Sequence, residues 1–237
     1  RAFLSGAAPL PRQVIGELRA LQDVPVITFY GLTETAFAGT ATPWSGPEKR
    51  GTAGLPLPGT DLKIVDPETG TRTLPAGEAG EVCLKGPQVM KGYCKAPGEA
   101  GAAIREGWLF TGDAGFLDGE GCLTVLDRKA DRIVTDGQAF YPAEIDEVLL
   151  THPAVLEACT IGIPDAQRGQ AVKAYVVLRP GETAEGQEIM AHCKARLAPG
   201  KVLHGVVLIH ELPKSAAGKI LRREVRELDK KNQAGKK

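Results

Sequence analysis

An excess of charge of either sign is missing from this chain. Lys and Arg number 29 and Asp and Glu number 29 among 237 residues, so the composition implies no basic face to grip a phosphate backbone. Nucleic acid is a poor first partner. Aromatics are only 5%, and the two Trp and scattered Phe form no stacking ladder for single strands. No apolar run approaches the roughly 18 residues that a membrane-spanning helix needs. Cysteine is sparse: Cys83, Cys94, Cys122, Cys159 and Cys193 are odd in number, widely spaced and contain no CxxC, which argues against a disulfide framework and a zinc ribbon. They read as reduced thiols of a cytoplasmic protein. His152, His192, His204 and His210 lack HxxxH or HExxH spacing, and no serine sits in a GxSxG elbow. The first residues lack the pattern of a signal peptide, and the opening segment reads as the interior of a domain.

What is present is an ordinary globular share of hydrophobic residues, 43%, together with many turn formers, Gly 29 and Pro 17. The length suits about one and a half to two domains. Arg1 to Ser5 reads as a strand, and Pro11 opens a helix whose inner face is Val14, Leu18 and Leu21. Val24 to Tyr30 follows as a buried strand. From Gly51 the pattern changes to short strands at Asp61–Val65, Glu81–Lys85, Trp108–Thr111 and Cys122–Leu126, separated by turns such as 67–70 and 118–121. A small antiparallel sheet or distorted barrel is expected. The polar segment 127–132 reads as a linker. Beyond it come a helix over Pro142–Thr151, strands over Val155–Ile161 and Ala171–Leu178, a helix over Gln187–Leu197, and a strand and helix around Val206–Ile209 and Ile220–Leu228. Lys230 to Lys237 reads as a solvated, frayed tail. The expected division is therefore 1–127, with an α/β portion over 1–50 and a β-rich portion over 51–127, followed by an α+β domain over 128–237.

Four polar, glycine-bearing segments interrupt buried elements: Ser5 to Pro9, Tyr30 to Glu34, Thr111 to Asp113 and Pro213 to Lys219. Small residues let a backbone approach a flat ligand. Tyr30 offers a ring, Thr33 a hydroxyl, Glu34 a hard carboxylate for Mg²⁺, Asp113 acceptors for a ribose diol and Lys219 a mobile cation. Taken singly, Thr111-Gly112-Asp113 reads as a turn, Tyr30 as a core aromatic and Lys219 as a surface lysine at a helix start. Order and spacing raise them together. Both standard nucleotide loops are absent: Pro213 and Ile220 occupy the first-glycine and Ser/Thr positions of a Walker A loop, and no GxGxxG follows a strand.

Read together, Tyr30-Gly31-Leu32-Thr33-Glu34, Gly107 to Asp113, Asp127-Arg128-Lys129, Asp136-Gly137, Tyr141 to Ile145 and Pro213 to Lys219 resemble the adenylate-forming superfamily of acyl-CoA synthetases, adenylation domains and luciferases. The resemblance covers the second half of a family member. Lys85 to Tyr93, together with Phe140-Tyr141-Pro142, looks most like bacterial long-chain fatty-acid CoA ligases. The resemblance implies the end of a large N-terminal adenylation domain, strand-helix-strand plus a small distorted β-barrel, followed by a mobile α+β lid. It implies that Gly6, Ala7 and Ala8 line an adenine pocket with Gly31, that Tyr30 stacks on the base, and that Thr33 meets the α-phosphate. Glu34 would hold Mg²⁺, Asp113 would take the ribose hydroxyls with Arg128 assisting, and Lys219 would reach the acyl carboxylate and α-phosphate. Rotation about a hinge at Arg128, Lys129, Ala130 and Asp131 would withdraw Lys219 and bring in the thioester-forming segment around Gly137. Relatives usually carry Asp or Lys where this chain has Ala130, and Asp131 is a candidate substitute.

The implied substrates are a carboxylic acid, ATP and CoA. Nucleic acid is not an implied partner, oligomeric state is open, and peripheral attachment to a membrane is left open beside a cytoplasmic location. The phosphate-binding loop of the family would precede Arg1, so the expectation is a piece of a roughly twofold longer enzyme that does not adenylate alone. Gly31 stands where acetate-activating relatives have Trp, which favours an open tunnel for a medium or long acyl chain, and Phe29 reads as core. An aryl-acid CoA ligase, a peptide-synthetase adenylation domain and a nucleotide-binding remnant without turnover are the alternatives.

Overall fold

A computed structural model describes residues 1–8, 10, 12–21, 24–45, 49, 51–94, 103–198, 201–216 and 218–234, without the side chains of 12, 13 and 19. The expected helix-opening Pro11, Pro9, Ala217 of the lysine loop and the last three tail residues lie outside the described residues. The chain divides into two compact units, Arg1–Lys129 and Ala130–Lys237.

In the first unit, β1 (Phe3–Ser5) runs parallel to β2 (Val26–Tyr30), with Ser5 beside Thr28. A parallel pair needs a crossover, and helix α1 (Arg12–Leu21) supplies it. The inner residue of α1 is Ile15, at 4% exposure, whereas Leu21 is 79% exposed. The face expected from Val14, Leu18 and Leu21 is therefore rotated. Two short antiparallel strands, β3 (Thr40–Ala41) and β4 (Leu55–Pro56), complete this sheet in the order β1-β2-β3-β4.

The rest of the unit is an antiparallel five-stranded sheet: β5 (Asp61–Val65), β6 (Gly80–Lys85), β7 (Ile104–Arg105), β8 (Trp108–Leu117) and β9 (Leu123–Arg128). β8 pairs with β6 along one edge and with β7 and then β9 along the other. Ile64, Val82 and Leu123 form its core, against which Tyr30, Leu62 and Val125 pack. The expectation that Thr111-Gly112-Asp113 ends a strand fails: β8 runs through it as a bulge. Glu81 faces Ala114 and Cys83 faces Phe110, so three residues of β8 oppose Val82 alone. Gly112 takes φ +70°, a conformation an L side chain resists, which explains glycine there.

The segment expected to be a linker is ordered. Asp127 and Arg128 finish β9, and Lys129–Asp131 form a 3₁₀ turn. The second unit then begins with a hairpin that the sequence pattern missed, β10 (Ile133–Thr135) and β11 (Gln138–Phe140). Its two-residue turn is Asp136-Gly137, at φ +49° and +75°, the turn chemistry that hairpins favour. Helix α2 (Pro142–Leu150) starts on proline, whose missing N–H is not needed at that position.

A three-stranded sheet follows, with β12 (Val155–Asp165) antiparallel to β13 (Gly169–Leu178) and β14 (Gly205–Leu208) parallel to β13. β12 is longer than expected and tolerates Pro164 because it lies at the sheet edge. Alternation along the strands sorts the core. Ala158, Val172, Ala174 and Val176 face one cluster with Ile145 and Leu149 of α2 and Ile189 of helix α3 (Gly186–Lys194). Cys159, Ile161, Tyr175 and Val177 face another with Val225 of helix α4 (Arg222–Ala234). The expected frayed tail is thus helical as far as Ala234. The reason lies one turn earlier, where buried Asp229 accepts from the Tyr175 hydroxyl at 2.7 Å and from Gln233 at 2.6 Å, and pairs with Lys173.

Candidate nucleotide site

Because β1 and β2 are parallel, the segments leaving their carboxyl ends, Gly6–Ala8 and Gly31–Thr35, emerge at one edge of the sheet. Gly6, Ala7 and Ala8 are exposed, and Ala7 sits at φ +69°. After β2 the chain makes a 3₁₀ turn, Thr33–Thr35, in which the buried Thr35 hydroxyl accepts from Leu32 N at 2.9 Å and donates to Leu32 O at 3.0 Å. Ala36 and Phe37 follow at φ +48° and +98°, left-handed conformations that cost non-glycine residues roughly 1–3 kcal/mol each. The strained return brings Gly39 N to within 2.8 Å of Tyr30 O. A Cβ on Gly31 would stand 2.2 Å from Phe37 O. Glycine at 31 thus has a backbone reason that is independent of any acyl tunnel. Phe29 is half-buried and its ring lies 5.9 Å from that of the exposed Phe37.

The bulge in β8 aims Asp113 at this edge. Thr111 holds the bulge open, donating its hydroxyl to Val82 O at 2.8 Å and accepting from Asp113 N at 3.1 Å. The Asp113 carboxylate, in a residue 7% exposed, accepts from the Tyr30 hydroxyl at 2.8 Å and pairs with Arg128 Nε at 3.1 Å. Arg128 also donates to Thr111 O at 3.3 Å. Burial, reinforced by the charge of Asp113, pushes the Tyr30 phenol far above its ordinary range, so it remains a neutral donor. Three residues singled out for nucleotide binding therefore form one network. Tyr30 also packs on the Ile64 core, which bears out the reading of it as a core aromatic.

Next to this network lies a cleft of about 90 Å³, lined by Leu32, Glu34, Tyr93, Thr111 and Arg128 among others. Glu34 accepts from the Tyr93 hydroxyl at 2.6 Å, and its carbonyl accepts from Met90 N at 2.8 Å, so the segment after β6 fixes the carboxylate in place. Mg²⁺ commonly takes one or two carboxylates and fills its shell with phosphate oxygens and water. Glu34, a hard oxygen donor at the cleft, fits that donor set. Thr33 is exposed, and neither it nor Gly6–Ala8 lines this cleft.

Around the expected hinge, the charges sort by unit. Lys129 Nζ pairs with buried Glu81 at 2.5 Å, and Arg128 pairs with Asp113, all within the first unit. Asp131 pairs with Arg226 at 2.6 Å and Arg222 at 3.8 Å, within the second. Ala130, between them, has no side chain able to join either set. Arg222 goes on to Thr160 O at 2.6 Å and Asp146 at 3.1 Å, and burial nevertheless pushes the Asp146 carboxyl up to about 6. Lys219 is exposed on a tight loop in which Ser215 N donates to Lys219 O at 2.8 Å and Lys219 N donates to Ser215 Oγ at 3.2 Å. Gly137 caps its hairpin, also in the second unit. Sequence reasoning missed Glu81 and Tyr93. A glutamate directly before the apolar run Val82-Cys83-Leu84 was the available signal for the first.

A carboxylate held by a phenol and a guanidinium therefore stands at the carboxyl end of the parallel strand pair, beside the cleft that carries Glu34. Known proteins resemble the chain in both of its units. The sequence matches the AMP-binding enzyme family over residues 1–94 and the AMP-binding enzyme C-terminal domain over residues 144–219. It is 43% identical over 232 residues to the long-chain-fatty-acid–CoA ligase of Bacillus subtilis (strain 168), covering 98% of this chain and 41% of that protein. ATP-bound MatB from Rhodopseudomonas palustris superimposes with a TM-score of 0.91 at 35% identity, covering 96% of this chain and 45% of that one. The o-succinylbenzoate coenzyme A synthetase of Bacillus subtilis, in complex with ATP and magnesium ion, gives 0.84 at 38% identity, covering 95% and 46%. This chain belongs to the AMP-binding enzyme family, whose two domain models it matches in turn. It spans less than half the length of these relatives. Among the described residues no helix is long and apolar enough to cross a membrane.

Proposed function

We propose that the chain is the ribose-holding and lid-bearing part of an AMP-forming acyl-CoA ligase. In the reaction, a carboxylate oxygen attacks the α-phosphorus of ATP and pyrophosphate leaves; the CoA sulfur then attacks the acyl carbon of the acyl-AMP, AMP leaves and the thiol proton is released. The observation that carries this reading is the Asp113 carboxylate, fixed by Tyr30 and Arg128 beside the Glu34 cleft. Asp113 would accept the ribose hydroxyls, with Arg128 closing on the same sugar. Glu34 would hold Mg²⁺, which when bound neutralises charge at the phosphates. The exposed Lys219 amine is the proposed cation for the acyl carboxylate and α-phosphate, and the Gly137 hairpin the proposed thioester-forming segment. Ala130 is the proposed pivot.

A fatty acid is the proposed acyl substrate, supported by the 43% identity to a long-chain-fatty-acid–CoA ligase. An aryl acid is the second reading, favoured by the likeness to the o-succinylbenzoate synthetase. Calorimetric titration of the folded chain with a non-hydrolysable acyl-AMP analogue tests the site, and saturable binding with a fatty-acyl chain preferred to a succinylbenzoyl one is expected. No binding at millimolar analogue overturns the reading. In the longer enzyme, Lys219→Ala is expected to abolish adenylation while sparing thioester formation from supplied acyl-AMP, and equal loss of both half-reactions would refute the role of Lys219.

A further inference from the structure

Glu81 is 4% exposed in the middle of a sheet, where a carboxylate is costly unless its charge is matched. Its partners therefore say what it is for. One oxygen accepts from Gly112 N at 3.1 Å, and the other takes the Lys129 amine at 2.5 Å. Gly112 immediately precedes Asp113, and Lys129 immediately follows Arg128. Asp113 and Arg128 are in turn register partners across β8 and β9 and an ion pair. A single carboxylate thus braces both halves of that pair through their chain neighbours. The bulge makes such a brace necessary, because three residues of β8 facing one of β6 cannot all keep regular ladder bonds.

We propose that Glu81 is a positioning residue for the ribose-binding pair, holding Asp113 in line through the bulge and Arg128 in line through Lys129. The same brace fixes Lys129 to the first unit, so that backbone rotation begins at Ala130. The inference rests on the nucleotide reading above, and its test separates the two.

The test compares the intact chain with Glu81→Leu, Glu81→Gln and Lys129→Met, using AMP as the calorimetric probe and amide hydrogen exchange as the structural one. Loss of a charge-assisted bond predicts that Glu81→Leu binds AMP about tenfold or more weakly, with the Gly112 and Asp113 amides exchanging about tenfold faster. Glu81→Gln keeps an acceptor for Gly112 N–H, so the expected loss is about threefold, with exchange quickened at Lys129 and Ala130 instead. Lys129→Met should match Glu81→Gln. AMP affinity unchanged in both Glu81 variants, or faster exchange spread evenly over β6 and β8 with no preference for Gly112, overturns the positioning role. Failure of the unaltered chain to bind AMP overturns the nucleotide reading instead, and with it the role assigned to Glu81. If Glu81→Leu does not fold, Glu81→Gln and Lys129→Met decide.

Discussion

Tyr30, Asp113 and Arg128 in the first unit have a near counterpart in Tyr175, Asp229 and Lys173 in the second. The phenol donates to the carboxylate at 2.8 Å in one and 2.7 Å in the other, and burial pushes both phenols up. The cation pairs with the same carboxylate in each. What differs is the setting. Asp113 stands on a strand bulge, and Arg128 lines a cleft with Glu34. Asp229 stands on a helix, turned down onto the sheet, with Gln233 one turn further closing its other oxygen. The comparison teaches that a tyrosine, an aspartate and a cation in contact do not by themselves make a site. A break in the ladder beside open space separates the arrangement proposed to bind from the fastening one.

The sharpest way to break that comparison is to remove each carboxylate. Asp229→Ala strands Lys173 and the Tyr175 hydroxyl beneath α4 and is expected to cost about 3 kcal/mol of stability, the range for opening a buried pair. Urea unfolding measures it, and AMP binding by the molecules that remain folded should not change. Asp113→Ala should invert the pattern, losing AMP affinity by about thirtyfold while costing about 1–2 kcal/mol in urea. Equal stability losses with intact binding in both would erase the distinction.

A third aspartate, half-buried, sharpens it from the side of pH. Asp146 accepts from Thr160 N and Arg222, yet burial outweighs both and its carboxyl titrates at about 6 rather than the ordinary 3.8. The folded protein therefore keeps a proton that the unfolded chain releases between about pH 4 and 6. With more protons bound in the native state, stability attributable to this group falls as pH rises through that window, by at most about 1 kcal/mol per pH unit, and is level above it. Asp146→Asn should remove that slope. A difference between wild type and variant that is flat from pH 4 to 6 would show that the folded carboxyl titrates where the unfolded one does.

Which of these networks could be read from sequence follows from how local their causes are. Strands with regular alternation, such as 61–65 and 171–178, and the glycine turns between them need only their own residues, and the structure has strands there. Tyr30, Glu34 and Asp113 were legible because they lie in polar, glycine-bearing segments that interrupt such patterns, whereas Arg128 drew notice only through the family resemblance. The bulge was not, since a strand that continues through Thr111-Gly112-Asp113 has the same residues as one that ends there, and only pairing with β6 decides. The partners of Glu81 and Tyr93 were invisible for the same reason, since they lie 31 and 59 positions away. The helical extension to Ala234 likewise depends on Tyr175, 54 residues from Asp229. Charge composition could not announce that contact.

The mildest perturbation compares the two phenols alone. Tyr30→Phe and Tyr175→Phe each delete one hydroxyl from a carboxylate that keeps its cation, so each should cost about 1 kcal/mol in whatever that carboxylate does. For Tyr175 that is fastening α4, and the loss should be read in urea, with AMP affinity unmoved. For Tyr30 it is orienting Asp113, so AMP binding should weaken about fivefold while the unfolding midpoint shifts little, because the ring still packs on Ile64, Val82 and Leu123. A Tyr30→Phe chain that loses stability and keeps its AMP affinity would place this phenol in the same class as Tyr175, and the first trio would then be a fastening too.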